Sequence, residues 1–325
     1  MSYTVPDSVR YILILWCAVS TILSLLGNTI VLIASRKYNA FKLDKYSIRL
    51  IDNLAAADIG YTITDIIPTI GAVAANGWVY GRGSCIVVRF LTNVFRNMAP
   101  LLVALLCVSK MTCIMSPLSA RARDTPHVLL AVSLIWSIVG TSCLISTVLY
   151  RDNVYYDHVS FQCWVDYTHR EYFGTFLIGY MILVAVVIIT TSIWLLVLAR
   201  RISGRVQRKG ATAIIAVSAF YSIATVPTAI LMALELTSWF ESWTDEVKAT
   251  GKILTMYSFY LTNFCNPIVY YFSIKSFKEF VDKKIFRRVS EEFPSSGNNS
   301  DNRTGSSTAN TSNEHLLGNQ EDDIS

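Results

Sequence analysis

The 325 residues of this chain predict an all-α membrane protein, a seven-transmembrane helix bundle with a short amphipathic eighth helix. Three observations carry that reading. Hydrophobic residues make up 53% of the sequence and charged ones only 16%, an apolar excess for a water-soluble domain. Five uncharged stretches of 22 to 28 residues are each long enough to cross a ~30 Å hydrocarbon layer as a helix. The basic residues, finally, gather on alternate loops. A soluble enzyme is excluded on these grounds.

The uncharged stretches are 11–34, 128–150, 172–199, 210–234 and 253–274, and the apolar segments 51–75 and 85–115, which hold a few charges, complete the seven. The first is too long for the apolar part of a cleavable leader and is expected to stay as a signal anchor. With short loops and no internal repeat, the chain divides into an outer amino terminus 1–10, a membrane bundle 11–274, a surface helix 275–288 and an inner tail 289–325. In the surface helix Phe277, Phe280, Val281, Ile285 and Phe286 recur at helical spacing with lysines and arginines opposite, the pattern of a helix lying on membrane lipids. The tail turns to Ser, Thr, Asn, Gly and acidic residues and reads as disordered.

Loop charge sets the orientation. Assigned alternately, one side holds seventeen basic residues, from Arg36 and Lys37 to Arg287 and Arg288, and the other five, Arg10, Arg82, Arg151, Arg170 and Lys248. The amino terminus is therefore expected outside and the carboxyl terminus inside, at the plasma membrane, and the basic clusters mark topology rather than nucleic-acid binding. Sequons at Asn298, Asn302 and Asn310 then lie inside and should carry no glycan. Cys17, Cys107, Cys113, Cys143 and Cys265 fall within spans and read as buried thiols. Cys85 and Cys163 both lie on the outer side, where oxidation favours a disulfide between them.

No phosphate-binding glycine loop, paired CxxC or HExxH is present, and His127, His158, His169 and His315 are scattered, so neither catalysis nor a metal is expected. The ordered motifs point elsewhere. Gly27-Asn28 lies in span one, Leu54-Ala-Ala-Ala-Asp58 in span two, Trp78-x-x-Gly81-x-x-x-Cys85 at the entry to span three, Trp136 in span four and Asn266-Pro-Ile-Val-Tyr270 at the end of span seven. Over residues 10–288 this set resembles the rhodopsin-like (class A) G-protein-coupled receptor family, as a divergent member.

The resemblance implies a polar network of Asn28, Asp58, Thr262, Asn263 and Asn266, which in relatives binds a sodium ion. Ala99 stands where the family has serine, so a network without sodium is an equal reading. Physically, a carboxylate in a span costs about 2.5–3.5 kcal/mol to insert, so Asp58 must face the interior and find partners. The activation residues by resemblance are Ser109, Lys110, Met111, Tyr221, Pro227, Pro267 and Tyr270. Here Ser109-Lys110-Met111 replaces the family's acid-arginine-aromatic, and Gln207 cannot complete a salt bridge to Lys110, so a weakened inactive-state lock is expected. Ala224-Thr225-Val226 also replaces the usual residues before Pro227.

By family position the ligand cavity takes Tyr61, Asn93, Thr228, Met232, Glu235 and Met256, and Asp65, Arg89, Thr92, Arg96 and Tyr260 are further candidate ligand residues. Thr92 stands where amine receptors carry aspartate and Tyr260 where opsins carry their retinal-linking lysine, so neither ligand is implied. At ~1.5 Å per residue, Arg96 lies about 21 Å outward of Lys110 and Asp65 about 24 Å outward of Arg49, so the two share a depth. Two readings follow: a buried Asp65–Arg96 ion pair, or an Arg96, with Arg89 seven residues outward, that meets an anionic group on a ligand.

The resemblance implies a receptor for an extracellular peptide or chemosensory small molecule, with a heterotrimeric G protein as inner partner and no cofactor beyond the sodium ion. Eight serines and three threonines in the tail offer phosphorylation sites that an arrestin-type partner would read. A non-signalling scavenger or decoy, or a transporter-like protein, is the alternative that Ser109-Lys110-Met111 motivates.

Overall fold

The computed structural model describes residues 4–38, 40–41, 43–115, 125–166, 171–201, 205–234, 240 and 242–286. Seven helical rods stand in it. They are α1 (Asp7–Tyr38), α2 (Lys45–Tyr61) continued through a wide π turn (Thr62–Ile66) into α3 (Ile67–Ala74), α4 (Arg82–Met115), α5 (Thr125–Leu149), α6 (Glu171–Arg201), α7 (Arg205–Leu234) and α8 (Asp245–Ser273). A short α9 (Lys275–Phe280) runs on as a π turn, Val281–Phe286. Between α5 and α6 an antiparallel hairpin pairs β1 (Val154–Asp157) with β2 (Gln162–Val165). The tail, with its sequons and phosphorylation sites, lies outside the described residues, as does Glu235.

Five of the rods, α1, α4, α5, α6 and α7, contain stretches long and apolar enough to cross a membrane by length and composition. The other two carry the polar chemistry. The second rod is interrupted by its π turn and holds Asp58 and Asp65, while tyrosines and asparagines dilute the apolar run of α8. Leu, Ile and Val on α1, α5 and α6 stay exposed, as a lipid-facing surface requires.

Helix ends are secured by side chains. Asp44 caps α2 by accepting from the Ser47 backbone N–H at 2.8 Å, and Thr244 caps α8, whose first turn carries Asp245 and Glu246. Arg10 reaches the carbonyls of Val73 and Ala74 at the end of α3, pinning it to α1. Gly27 permits a close crossing, because a Cβ there would stand 2.8 Å from the Pro267 ring of α8.

Among the described residues packing divides into an inner cluster, an outer one and a small third around Cys85, Tyr150, Val154, Cys163 and Val165. Leu50, Leu54, Met98, Leu102, Leu106, Tyr221 and Tyr270 fill the inner one. Tyr61, Phe161, Trp164, Phe259 and Tyr260 fill the outer. Phe41, from the α1–α2 connection, stacks on Phe277 at 4.8 Å between ring centres and meets Tyr270 edge-on at 5.5 Å, which fastens α9 to the bundle. Phe277, Phe280 and Val281 are buried while Lys275 faces outward, as the amphipathic pattern requires.

Candidate ligand site and the polar core beneath it

One face of α4 begins the site. Arg89, Asn93, Arg96, Asn97 and Pro100 recur at helical spacing and line a cavity of about 60 Å³ with Trp164, Tyr180, Val184, Thr225 and Phe259. Arg89 is buried and its guanidinium carbon sits 4.5 Å from the centre of the Trp164 ring. Arg96 lies 4.7 Å over Phe259 and points both terminal nitrogens at Met256 Sδ, each at 3.8 Å. These are cation–π and thioether contacts, soft partners for a full charge.

The hairpin forms the roof. A disulfide joins Cys163 of β2 to Cys85 at the start of α4, with Cα atoms 5.6 Å apart, as the outer placement of the two cysteines predicts. The Lys252 ammonium pairs with Asp157 at 3.1 Å, and the same carboxylate accepts from the Ser160 backbone N–H at 2.8 Å. Trp164 Nε1 donates to Ser160 Oγ at 2.8 Å and the Tyr257 hydroxyl to the Ser160 carbonyl at 3.0 Å. Phe161, with φ 56° and no exposed surface, drives the tip into the bundle. Burial first, then the neighbouring Asp157, pushes the Tyr156 phenol upward, so it stays neutral beside the roof.

Next to Phe161 the Gln162 amide donates to Asp65 at 3.0 Å and to the Tyr260 oxygen at 2.7 Å, while the Tyr260 hydroxyl donates to Asp65 at 3.0 Å. Asp65 thus has neutral protein donors. Among the described residues Asp65 and Arg96 are not in ion-pair contact, though the guanidinium's charge acts on the carboxylate at longer range, and Gln162, brought in from the hairpin, is the direct partner that sequence reasoning did not foresee.

Of the residues expected to line a ligand cavity, Arg89, Asn93 and Arg96 do so, and Met256 touches Arg96. Asp65 and Tyr260 sit under the hairpin instead, and Tyr61 packs edge-on against Phe259 and Tyr260. Thr92 donates across to the Thr64 carbonyl of the second rod and Thr228 to that of Ala224 one turn back in α7, so neither hydroxyl turns toward the cavity. The Met232 side chain lies outside the described residues. Missed from sequence were Trp164 and Gln162, whose one signal was adjacency to Cys163.

Beneath lies the Asp58 network. Asn266 donates to one Asp58 oxygen at 2.7 Å and the Tyr221 hydroxyl to the other at 3.2 Å. Asn28 donates to the carbonyl of Asn263 at 2.7 Å, and Thr262 to that of Phe259. Each Asp58 oxygen accepts one hydrogen bond and keeps a further lone pair, and Asn28 and Asn266 each bury an amide oxygen with no hydrogen-bond partner among the described residues, oxygens of the kind a sodium ion takes, while the Ala99 side chain has none to offer.

At the inner end Lys110 is buried and pairs with Asp44 at 3.7 Å, an acid the expectation of a weakened lock did not foresee because it comes from the start of α2. Ser109 is buried and Met111 half-buried on the same helix. Gly210 of α7 packs here, where a Cβ would meet Leu43 at 3.0 Å and the Lys110 ammonium at 3.6 Å. Tyr270 is buried, Pro267 meets Gly27 and Pro227 sits inside α7.

Comparison with known proteins places this geometry. Residues 27–270 match the 7 transmembrane receptor (rhodopsin family). C-X-C chemokine receptor type 2 of Homo sapiens is 31% identical over 166 residues, 50% of this chain and 44% of that receptor, so the match spans less than half the relative's length. Galanin receptor 2b of Danio rerio is 25% identical over 284 residues, 82% of this chain and 72% of that one. The crystal structure of squid rhodopsin shares the fold at a TM-score of 0.67, with 17% identity, over 89% of this chain and 88% of that one. A seven-rod bundle with the Asp58 network at its centre, matched across three quarters of its length, makes this multi-pass membrane protein a member of the rhodopsin family of seven-transmembrane receptors.

Proposed function

We propose that the chain is a plasma-membrane receptor, amino terminus outside, that passes occupancy of the Arg89–Arg96 cavity to a heterotrimeric G protein on its inner face. The observation that carries this reading is the polar column below the cavity. Asp58 ties α2 to α7 through Tyr221 and to α8 through Asn266, and α7 then closes over Lys110 at Gly210. A ligand that moves α7 or α8 must reset those bonds, which couples the two ends as one two-state equilibrium. No covalent bond is made or broken. The α9 helix rests on inner-leaflet lipid, and phosphates on the tail would present dense negative charge to an arrestin-type partner.

The test is guanine-nucleotide exchange on a panel of G proteins by the surface-expressed chain. Basal or ligand-raised exchange is expected, and none of either in a protein shown to reach the surface would overturn the reading. The second reading, a non-signalling scavenger or transporter-like protein, draws on the Asp44 pairing, which ties Lys110 to α2 rather than to α7. Uptake of ligand with no exchange would establish it.

A further inference from the structure

We infer that the cavity takes a carboxylate, with Arg96 as its counter-ion, in a small acid or in the acidic end of a larger ligand. The inference rests on the receptor reading and names the ligand class for the same site. Its first ground is charge. Among the described residues two arginines and no acidic side chain line the cavity, and the acid that shares Arg96's depth, Asp65, is engaged by Gln162, Tyr260 and Tyr61. In direct contact Arg96 has, among these residues, only an aromatic face and a thioether, with the Asp65 charge acting on it from beyond ion-pair distance, and these stabilise a guanidinium far less than a contacting anion does. In a membrane interior a cation so placed gains most from an anion brought by a ligand.

The second ground is shape and size. A cavity of about 60 Å³ has room for roughly four waters, the room a carboxylate with a short chain needs. Asn93 and Asn97 add neutral donors beside the guanidinium, while Arg89, two turns outward, is stacked on Trp164 at 4.5 Å from the ring centre. One guanidinium with amide donors matches a planar monoanion better than a phosphate dianion.

The probes are acetate, butyrate, octanoate and benzoate at millimolar concentration, each beside its methyl ester, with inorganic phosphate as a further arm and oleate in lipid nanodiscs to separate a membrane source from an aqueous one. Thermal stabilisation of the full purified chain is read first. At least one acid is expected to raise the melting temperature while its ester does not. Arg96→Gln should weaken that acid at least about 30-fold, and Arg96→Lys, which keeps the charge, should retain part of the effect. Esters acting as well as acids, phosphate alone acting, no acid acting, or an unchanged affinity in a folded Arg96→Gln protein would each overturn the inference. Nucleotide exchange separates it from the receptor reading. Acid binding without exchange leaves the carboxylate site standing and removes coupling, whereas exchange driven by a neutral ligand and indifferent to Arg96 does the reverse.

Discussion

Replacing Gln162 by Leu removes the amide that holds the hairpin to the bundle while keeping the volume. Asp65 then loses one of its donors, keeping Tyr260 and Tyr61, and the Tyr260 oxygen loses its own. A hydrogen bond to a charged acceptor contributes about 1.5–3 kcal/mol and a neutral one about 0.5–1.5, so the two together come to about 2–4.5 kcal/mol. At about 2–4 °C per kcal/mol for chains of some 200 residues, the melting temperature should fall by about 4–18 °C. The buried thiols Cys17, Cys107, Cys143 and Cys265 supply the readout, since a thiol-reactive dye labels them only as the bundle opens. Pairing Gln162→Leu with Asp65→Asn closes a double-mutant cycle, in which a coupling energy of at least about 1 kcal/mol is expected. Losses that add to within about 0.5 kcal/mol, or a Gln162→Leu protein that melts with the parent, would refute the argument.

Three further outcomes follow from contacts already described. Gly27→Ala sets a methyl 2.8–2.9 Å from the rigid Pro267 ring and should cost about 1–3 kcal/mol in the same melting assay, with part of the loss returned by Pro267→Ala. Asp44→Asn keeps the cap on α2 but deprives buried Lys110 of its counter-charge; a shift of about 1 kcal/mol would raise basal nucleotide exchange about fivefold, and Lys110→Arg should alter it too. Because Asp65 and Arg96 form no ion pair, the double reversal Asp65→Arg with Arg96→Asp should not restore surface expression lost in the single variants; full rescue, read by surface labelling, would show the pair to be real after all.

Much of this architecture was legible in the sequence because hydrocarbon imposes a strong pattern. A helix must run the full thickness of the layer, so uncharged length marks the spans, and costly groups such as Asp58 must turn inward. The Cys85–Cys163 bond followed from the outer position of both residues. What stayed hidden depends on contacts between residues far apart in the chain. Nothing in the local sequence at Gln162 or Trp164 says that a loop residue will reach a carboxylate ninety-seven positions away, and nothing at Lys110 names Asp44 as its acid. Arg96 stood out as a charge in an apolar run, but the softness of its surroundings, Phe259 and Met256, comes from α8 and emerges only in three dimensions.

The wide turn at Thr62–Ile66 shifts the angular phase of the second rod. A π turn holds about one residue more than an α turn, so everything outward of it is rotated by up to one residue's arc, roughly 100°. Asp58 and Asp65, seven residues apart, would lie almost in line on an unbroken helix; with the extra residue they look in different directions, one to Tyr221 and Asn266 and the other to the hairpin. Any comparison of this rod with another that counts residues across the turn slips out of step there, and removing a single residue from it would swing the outer carboxylate away from the roof.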